Sequence, residues 1–166
     1  MPSSTELIKE LREKTGAGIM ECKRAIEEAA SDLTKAEKLL KEWGLATAAK
    51  KAGREASQGL IDSYIHAGRI GAMVEVNCET DFVARTDDFK TFAREVAMQV
   101  AATNPSRISK TDPSANGSDD SEVPLLDQPY IRDASKTIQD LQNEVIAKLR
   151  ENVVIRRIAR FELGGG

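Results

Sequence analysis

Hydrophobic positions along this chain follow two periods. Near the N-terminus they recur at spacings of three and four, the signature of amphipathic helices. Leu7, Ile8 and Leu11 form the stripe of a first helix, with Ser4 or Thr5 placed to cap it. Ile19, Cys22, Ala25, Ile26 and Ala29 form a second stripe. Leu33, Ala36, Leu39, Leu40 and Trp43 form a third, with Ser31 or Asp32 as its cap and Gly44 as its expected end. Thr15-Gly16-Ala17-Gly18 separates the first two helices; the glycines relax the backbone and Thr15 is placed to cap the second helix. Three short helices bury little surface, so this unit is expected to lean on the rest of the chain or on a partner.

Residues 45–59, LATAAKKAGREASQG, are small, basic and glycine-bearing. They read as a helical extension fading into a linker. The period then changes to two. Residues 60–65 and 70–79 read as a hairpin, with Ala67-Gly68-Arg69 as the turn. In the second strand Val74, Val76 and Cys78 share one face, and Glu75, Asn77 and Glu79 the other. A helical spacing returns at Phe89, Phe92, Ala93, Val96, Ala97 and Val100, with Thr86 or Asp87 as cap. Thr80-Asp81-Phe82-Val83 connects these two rigid elements. A loop fixed by its scaffold is a common place for residues that touch a partner. From these residues alone, the plainer reading of Phe82 is an aromatic folded back into the core.

Asn104-Pro105 ends the helix, and residues 105–130 read as a proline-bearing loop or disordered insertion. Residues 135–150 read as another helix, through Ile138, Leu141, Val145, Ile146 and Leu149. Residues 152–163 alternate as a strand, with Val153, Ile155, Arg157, Ala159, Phe161 and Leu163 on one face. Three antiparallel strands with helices to one side give an α+β class, and the edges of so small a sheet invite a second subunit.

Composition narrows the function. The chain has 166 residues, a net charge of −3 and a pI near 5.4, a poor balance for a general nucleic-acid binder. Lys50, Lys51 and Arg54, with Arg156, Arg157 and Arg160, are the basic residues an RNA-binding reading would use; solvated or ion-paired surface is the plainer one. Aromatic residues make up only 4%, which favours a small-residue helical core. Cys22 and Cys78 lack zinc spacing and read as reduced, buried hydrophobes. His66 is the single histidine, leaving little scope for acid–base chemistry at neutral pH. Glu79, Asp81, Asp87 and Asp88 lack the spacing of a calcium loop. No phosphate-cradling motif, nucleophile elbow or paired cysteine is present, so no enzyme with bond-making chemistry and no cofactor is expected. No apolar run would span a bilayer and the N-terminus lacks an apolar signal core, so no membrane partner and a cytoplasmic location are expected.

Two segments and an ending carry a resemblance. Residues 11–23, LREKTGAGIMECK, and residues 75–85, EVNCETDFVAR, resemble the two signatures of the translation elongation factor Ts family. The ending ENVVIRR at 151–157, followed by Phe161, is similar to the family's C-terminal strand. The resemblance implies a nucleotide exchange factor for the GTPase elongation factor Tu, with no covalent chemistry of its own. It implies a ubiquitin-associated-like (UBA-like) three-helix bundle over 1–52, a linker over 53–59 and a core over 60–166. It implies that Thr80, Asp81, Phe82 and Val83 enter the GTPase domain near its magnesium site. Arg12, Thr15, Gly16, Gly18, Ile19 and Met20 would meet the same domain beside its phosphate loop. Only one copy of the core fits here, as in short members that supply the second half by homodimerisation. A binding module on a dimerising core, without exchange activity, is the alternative.

Overall fold

The computed structural model describes residues 1–112 and 122–165. Three helices open the chain: α1 (Ser4–Thr15), α2 (Ile19–Glu28) and α3 (Leu33–Lys51). Ser3, not Ser4 or Thr5, caps α1, in a reciprocal capping box with Glu6. Asp32 caps α3 through Lys35 N–H. Leu7, Leu11, Cys22, Ala25, Ile26, Ala29 and Ala36 close a first core, with Trp43 half-buried against it. The Arg24 guanidinium lies 4.2 Å from the centre of the Trp43 ring.

Gly44 does not end α3. The helix runs through it to Lys51, and Gly44 is buried where α3 crosses a later helix, α6 (Ile138–Leu149). A Cβ there would lie 3.6 Å from the Cβ of Ala147, so packing rather than chain termination decides this residue.

The second core is built on a three-stranded antiparallel sheet in the order β1-β2-β5, from β1 (Gln58–His66), β2 (Ile70–Cys78) and β5 (Val153–Glu162). The three-residue β1–β2 turn places both Ala67 and Gly68 at positive φ and is closed by Arg69 N–H donating to the His66 carbonyl at 3.0 Å. One face of the sheet packs on α5 (Asp87–Thr103), capped by Thr86, and on α6. Val74, Val76 and Cys78 point into this core as their alternation predicts; Asn77, on the other face, is buried as well.

Two differences from the sequence reading have local causes. The alternation in β5 breaks at a bulge opposite Glu75 and Val76, where Arg156 is the extra residue. Val153 and Ile155 face the core before it; Ile158 and Arg160 are half-buried after it. The single face from Val153 to Leu163 is therefore split, leaving Arg157, Ala159 and Phe161 outside. Residues 135–137 are strand, not helix: β3 (Pro129–Tyr130) pairs with β4 (Asp133–Thr137) in a small second sheet. Thr137 then caps α6 in a capping box with Asp140. Part of the 105–130 stretch also belongs to the fold. Leu125, in a 3₁₀ turn (Leu125–Asp127), is fully buried, and Leu125 and Leu126 N–H donate to the carbonyls of Arg107 and Ile108. The expectation of disorder for 113–121 lies outside the described residues. Among the described residues, no helix is long and apolar enough to cross a membrane.

Glycine inside a helix costs about 0.5–1 kcal/mol relative to alanine. The added methyl of Gly44→Ala would make only an ordinary contact. Gly44→Ala is expected to raise stability by about that amount, read as a higher denaturant midpoint with an unchanged slope.

Candidate functional site

The connection after β2 is one turn of helix, α4 (Asp81–Ala84), rather than an open loop. Thr80 caps it by accepting from Val83 N–H at 3.3 Å. Thr80 is tied in turn to Glu151: its N–H donates to Oε1 at 3.0 Å and its hydroxyl to Oε2 at 2.8 Å. Cys78 Sγ donates to the Thr80 carbonyl at 3.1 Å. Val83 and Ala84 are buried in the sheet core, and Thr86 donates to the Val83 carbonyl before capping α5.

Phe82 sits on the opposite side of this turn and is 76% exposed. The core reading of its ring is thereby corrected: Val83 and Ala84 take the inward positions, and a one-turn helix cannot turn Phe82 inward as well. Asp81 is also exposed, its carboxylate 3.2 Å from Arg85 one turn on. Such exposed pairs contribute only about 0.2–1 kcal/mol, so an arriving cation or donor would displace Arg85 readily.

The N-terminal candidates sit where α1 meets α2. Gly16 caps the end of α1 at φ 70°, its N–H donating to the Arg12 carbonyl at 2.8 Å. Thr15 does not cap α2. Its hydroxyl donates back to the Leu11 carbonyl and accepts from Ala17 N–H, and Gly18, without a capping side chain, begins α2. Ile19 and Met20 open that helix at 55% and 72% exposure, so Ile19 does not join the core stripe. Arg12, Gly16 and Gly18 are exposed and Thr15 is half-buried. A cleft of about 550 Å³ between α3, α5 and α6 takes in Thr15 and Gly16 but neither Met20 nor Phe82.

The basic residues are mostly paired. Arg157 and Arg156 lie 2.7 and 3.8 Å from Glu75, Arg160 meets Glu162, and Arg54 meets Glu79 at 3.1 Å. Among the described residues, no cluster of histidine, cysteine or carboxylate side chains is arranged to hold a metal ion.

Glu151 was visible in the sequence only as part of the C-terminal ending. The available signal was positional: Glu79 and Glu151 flank Cys78 and Val153, which pair at the end of the β2–β5 ladder.

The chain is an α+β fold with one outward-facing aromatic on an anchored turn and a second exposed apolar pair at the start of α2. The Elongation factor TS family profile matches residues 45–119 and 79–166. The elongation factor Ts of Thermoanaerobacter sp. (strain X514) is 51% identical over 195 aligned residues, covering 98% of this chain and 96% of that protein. That of Caldanaerobacter subterraneus is also 51% identical, over 98% of each chain. That of Coprothermobacter proteolyticus is 47% identical, over 99% of this chain and all of its own. The chain belongs to the elongation factor Ts family, and its role lies in translation elongation.

Burial, together with the nearby Glu151 charge, pushes the Cys78 thiol up to about 11. An unfolded thiol ionises near 9.0, so the neutral form is favoured in the fold. This contribution is complete below pH 9 and lost as pH rises through about 11. Native protein at pH 8 is expected to resist thiol alkylation at Cys78 and to react only on unfolding, read by mass spectrometry of labelled peptides.

Proposed function

We infer that this protein is a guanine nucleotide exchange factor that accelerates GDP release from elongation factor Tu. The observation that carries the reading is Phe82, exposed on a helical turn whose other side is anchored in the core. A ring that a monomer leaves in water at that cost, on a rigid mount, suits insertion into a partner. The exposed Ile19 and Met20 offer a second contact.

The mechanism is linkage. A factor that binds the nucleotide-free GTPase more tightly than the loaded form weakens nucleotide binding by the same factor. Equal affinity for both forms would shift nothing. Phe82 enters the GTPase domain beside its magnesium site, with Val83 as its footing. Asp81, released from Arg85, perturbs the metal's water shell, which tolerates little departure from octahedral geometry. The α1–α2 junction, from Arg12 and Thr15 to Met20, presses near the phosphate loop. Burying one phenylalanine contributes about 1.5–3 kcal/mol, or roughly one to two decades in an equilibrium constant, so both contacts are needed for a large acceleration.

The two separate hydrophobic cores support a division into a UBA-like bundle over 1–52 and a core over 60–166, joined by residues 53–59. The outer face of the sheet supports a homodimer. Ile61, Ile65, Met73, Phe161 and Leu163 are each more than half exposed on or beside it. This face, rather than the strand edges, is the dimer surface. The homodimer acts in the cytoplasm with elongation factor Tu as its partner.

Phe82→Ala is expected to slow factor-stimulated release of labelled GDP from elongation factor Tu about tenfold to a hundredfold. Its melting temperature should stay within about 2 °C, because the ring is exposed. Unchanged release would falsify the wedge role, whereas a parent protein that does not stimulate release at all would favour a binding module without exchange activity. Ile65→Lys with Phe161→Lys should convert a dimer to a monomer by light scattering; a dimeric variant would move the interface elsewhere.

A further inference from the structure

The chain between α6 and β5 contains a backbone oddity with long-range contacts. Arg150 caps α6 in the left-handed region, at φ 62° and ψ 25°, where glycine would fit without penalty. Its guanidinium reaches α2, where Nη2 donates to Glu21 Oε1 at 2.5 Å. Glu21 directly follows Met20. Neither feature is a good stabiliser: the backbone is strained, and an ion pair whose side chains are 60% and 35% exposed contributes little.

The next two residues also reach outward. Glu151 accepts both the N–H and the hydroxyl of Thr80, the cap of the Phe82 turn. Asn152 is buried; its N–H donates to Glu79 Oε1 at 2.8 Å and its side-chain amide to the Arg54 carbonyl at 2.8 Å. The β2–β5 ladder ends at Cys78 and Val153. Beyond it, the two glutamates continue the pairing reciprocally, each taking the amide that the other strand's backbone no longer satisfies. Adjacent residues thus anchor α2 on one side and α4 on the other, with Cα atoms about 3.8 Å apart across a trans peptide. α3 already meets α6 at Gly44 and Ala147. A second attachment on α2 limits the rotation that one line of contact permits.

We propose that Arg150, Glu151 and Asn152 form a positioning clasp that holds the Ile19–Met20 tip of α2 at a fixed place relative to Phe82, so that the two contacts meet elongation factor Tu as one rigid body. The proposal rests on the exchange reading for its purpose, but not for its geometry. Arg150→Gly separates positioning from folding, because glycine relieves the left-handed strain while deleting the bridge.

In the full chain, Arg150→Gly should melt at or above the parent temperature. It should lose about tenfold in stimulated GDP release, within the usual range of coupling between sites. Arg150→Glu and Glu21→Arg should each lose activity similarly, and the charge-swapped pair should recover most of it. Spin labels at Met20→Cys and Phe82→Cys read the geometry directly, since Cys22 and Cys78 are fully buried and stay unlabelled. The parent should give one narrow distance distribution and Arg150→Gly a broad one. Identical distributions, or full exchange activity in Arg150→Gly, would overturn the clasp. Narrow-then-broad distributions in the labelled chains, with an unlabelled parent that never stimulates release, would keep the clasp and overturn the exchange reading.

Discussion

The pairing of β2 with β5 is the constraint on which the rest of the molecule depends. β2 is the middle strand, hydrogen-bonded on both sides, and buries Val74, Val76 and Cys78 against α5 and α6. A strand held on both edges and sealed on one face cannot slip register without turning its hydrophobic side to water. Its end at Cys78 is therefore fixed, and with it the start of the turn that carries Phe82. The same end of the ladder, at Val153, fixes where α6 hands over to β5.

Around that ladder the molecule divides its charged groups by purpose. Some ion pairs, such as Lys9–Glu13 and Arg24–Glu28, are exposed and lie one helical turn apart. Those contribute a few tenths of a kcal/mol each and serve mainly solubility. The polar contacts that matter for shape bridge distant segments. Thr80 with Glu151, Asn152 with Glu79 and Gln99 with Gln128 each join parts of the chain far apart in sequence. Tyr130 shows the same pattern: bonded to Glu95, and with burial as the chief cause, its hydroxyl is pushed up to about 12.

Much of this was legible in the pattern of apolar positions. The α5 stripe, the Val74-Val76-Cys78 face and the α+β class needed only periodicity. What escaped depended on contacts far along the chain. Gly44 looked like a stop because its neighbour Ala147 is more than a hundred residues away. The β5 bulge flips the faces after Ile155, and nothing in a regular alternation announces an extra residue. Ser135–Thr137 fell into the α6 pattern because Thr137 is its cap and the partner strand is only two residues long. Phe82 was the instructive case. In a four-residue helix, periodicity does not say which of Phe82 and Val83 turns inward, so its exposure emerged only with the fold. The signature residues pointed to Thr80–Val83 and Ile19–Met20 as a site but not to Arg150–Asn152, which meets those segments only in space.

Trp43 is the chain's single indole, seated in the three-helix core beneath the Arg24 guanidinium. Both tyrosines, Tyr64 and Tyr130, pack against the other core. The protein thus carries its own two-colour optics. Emission excited at the red edge reports the helical bundle alone, while phenolic absorbance follows the sheet. Whether the two halves loosen together or in turn can be watched in the unmodified polypeptide, without adding a dye.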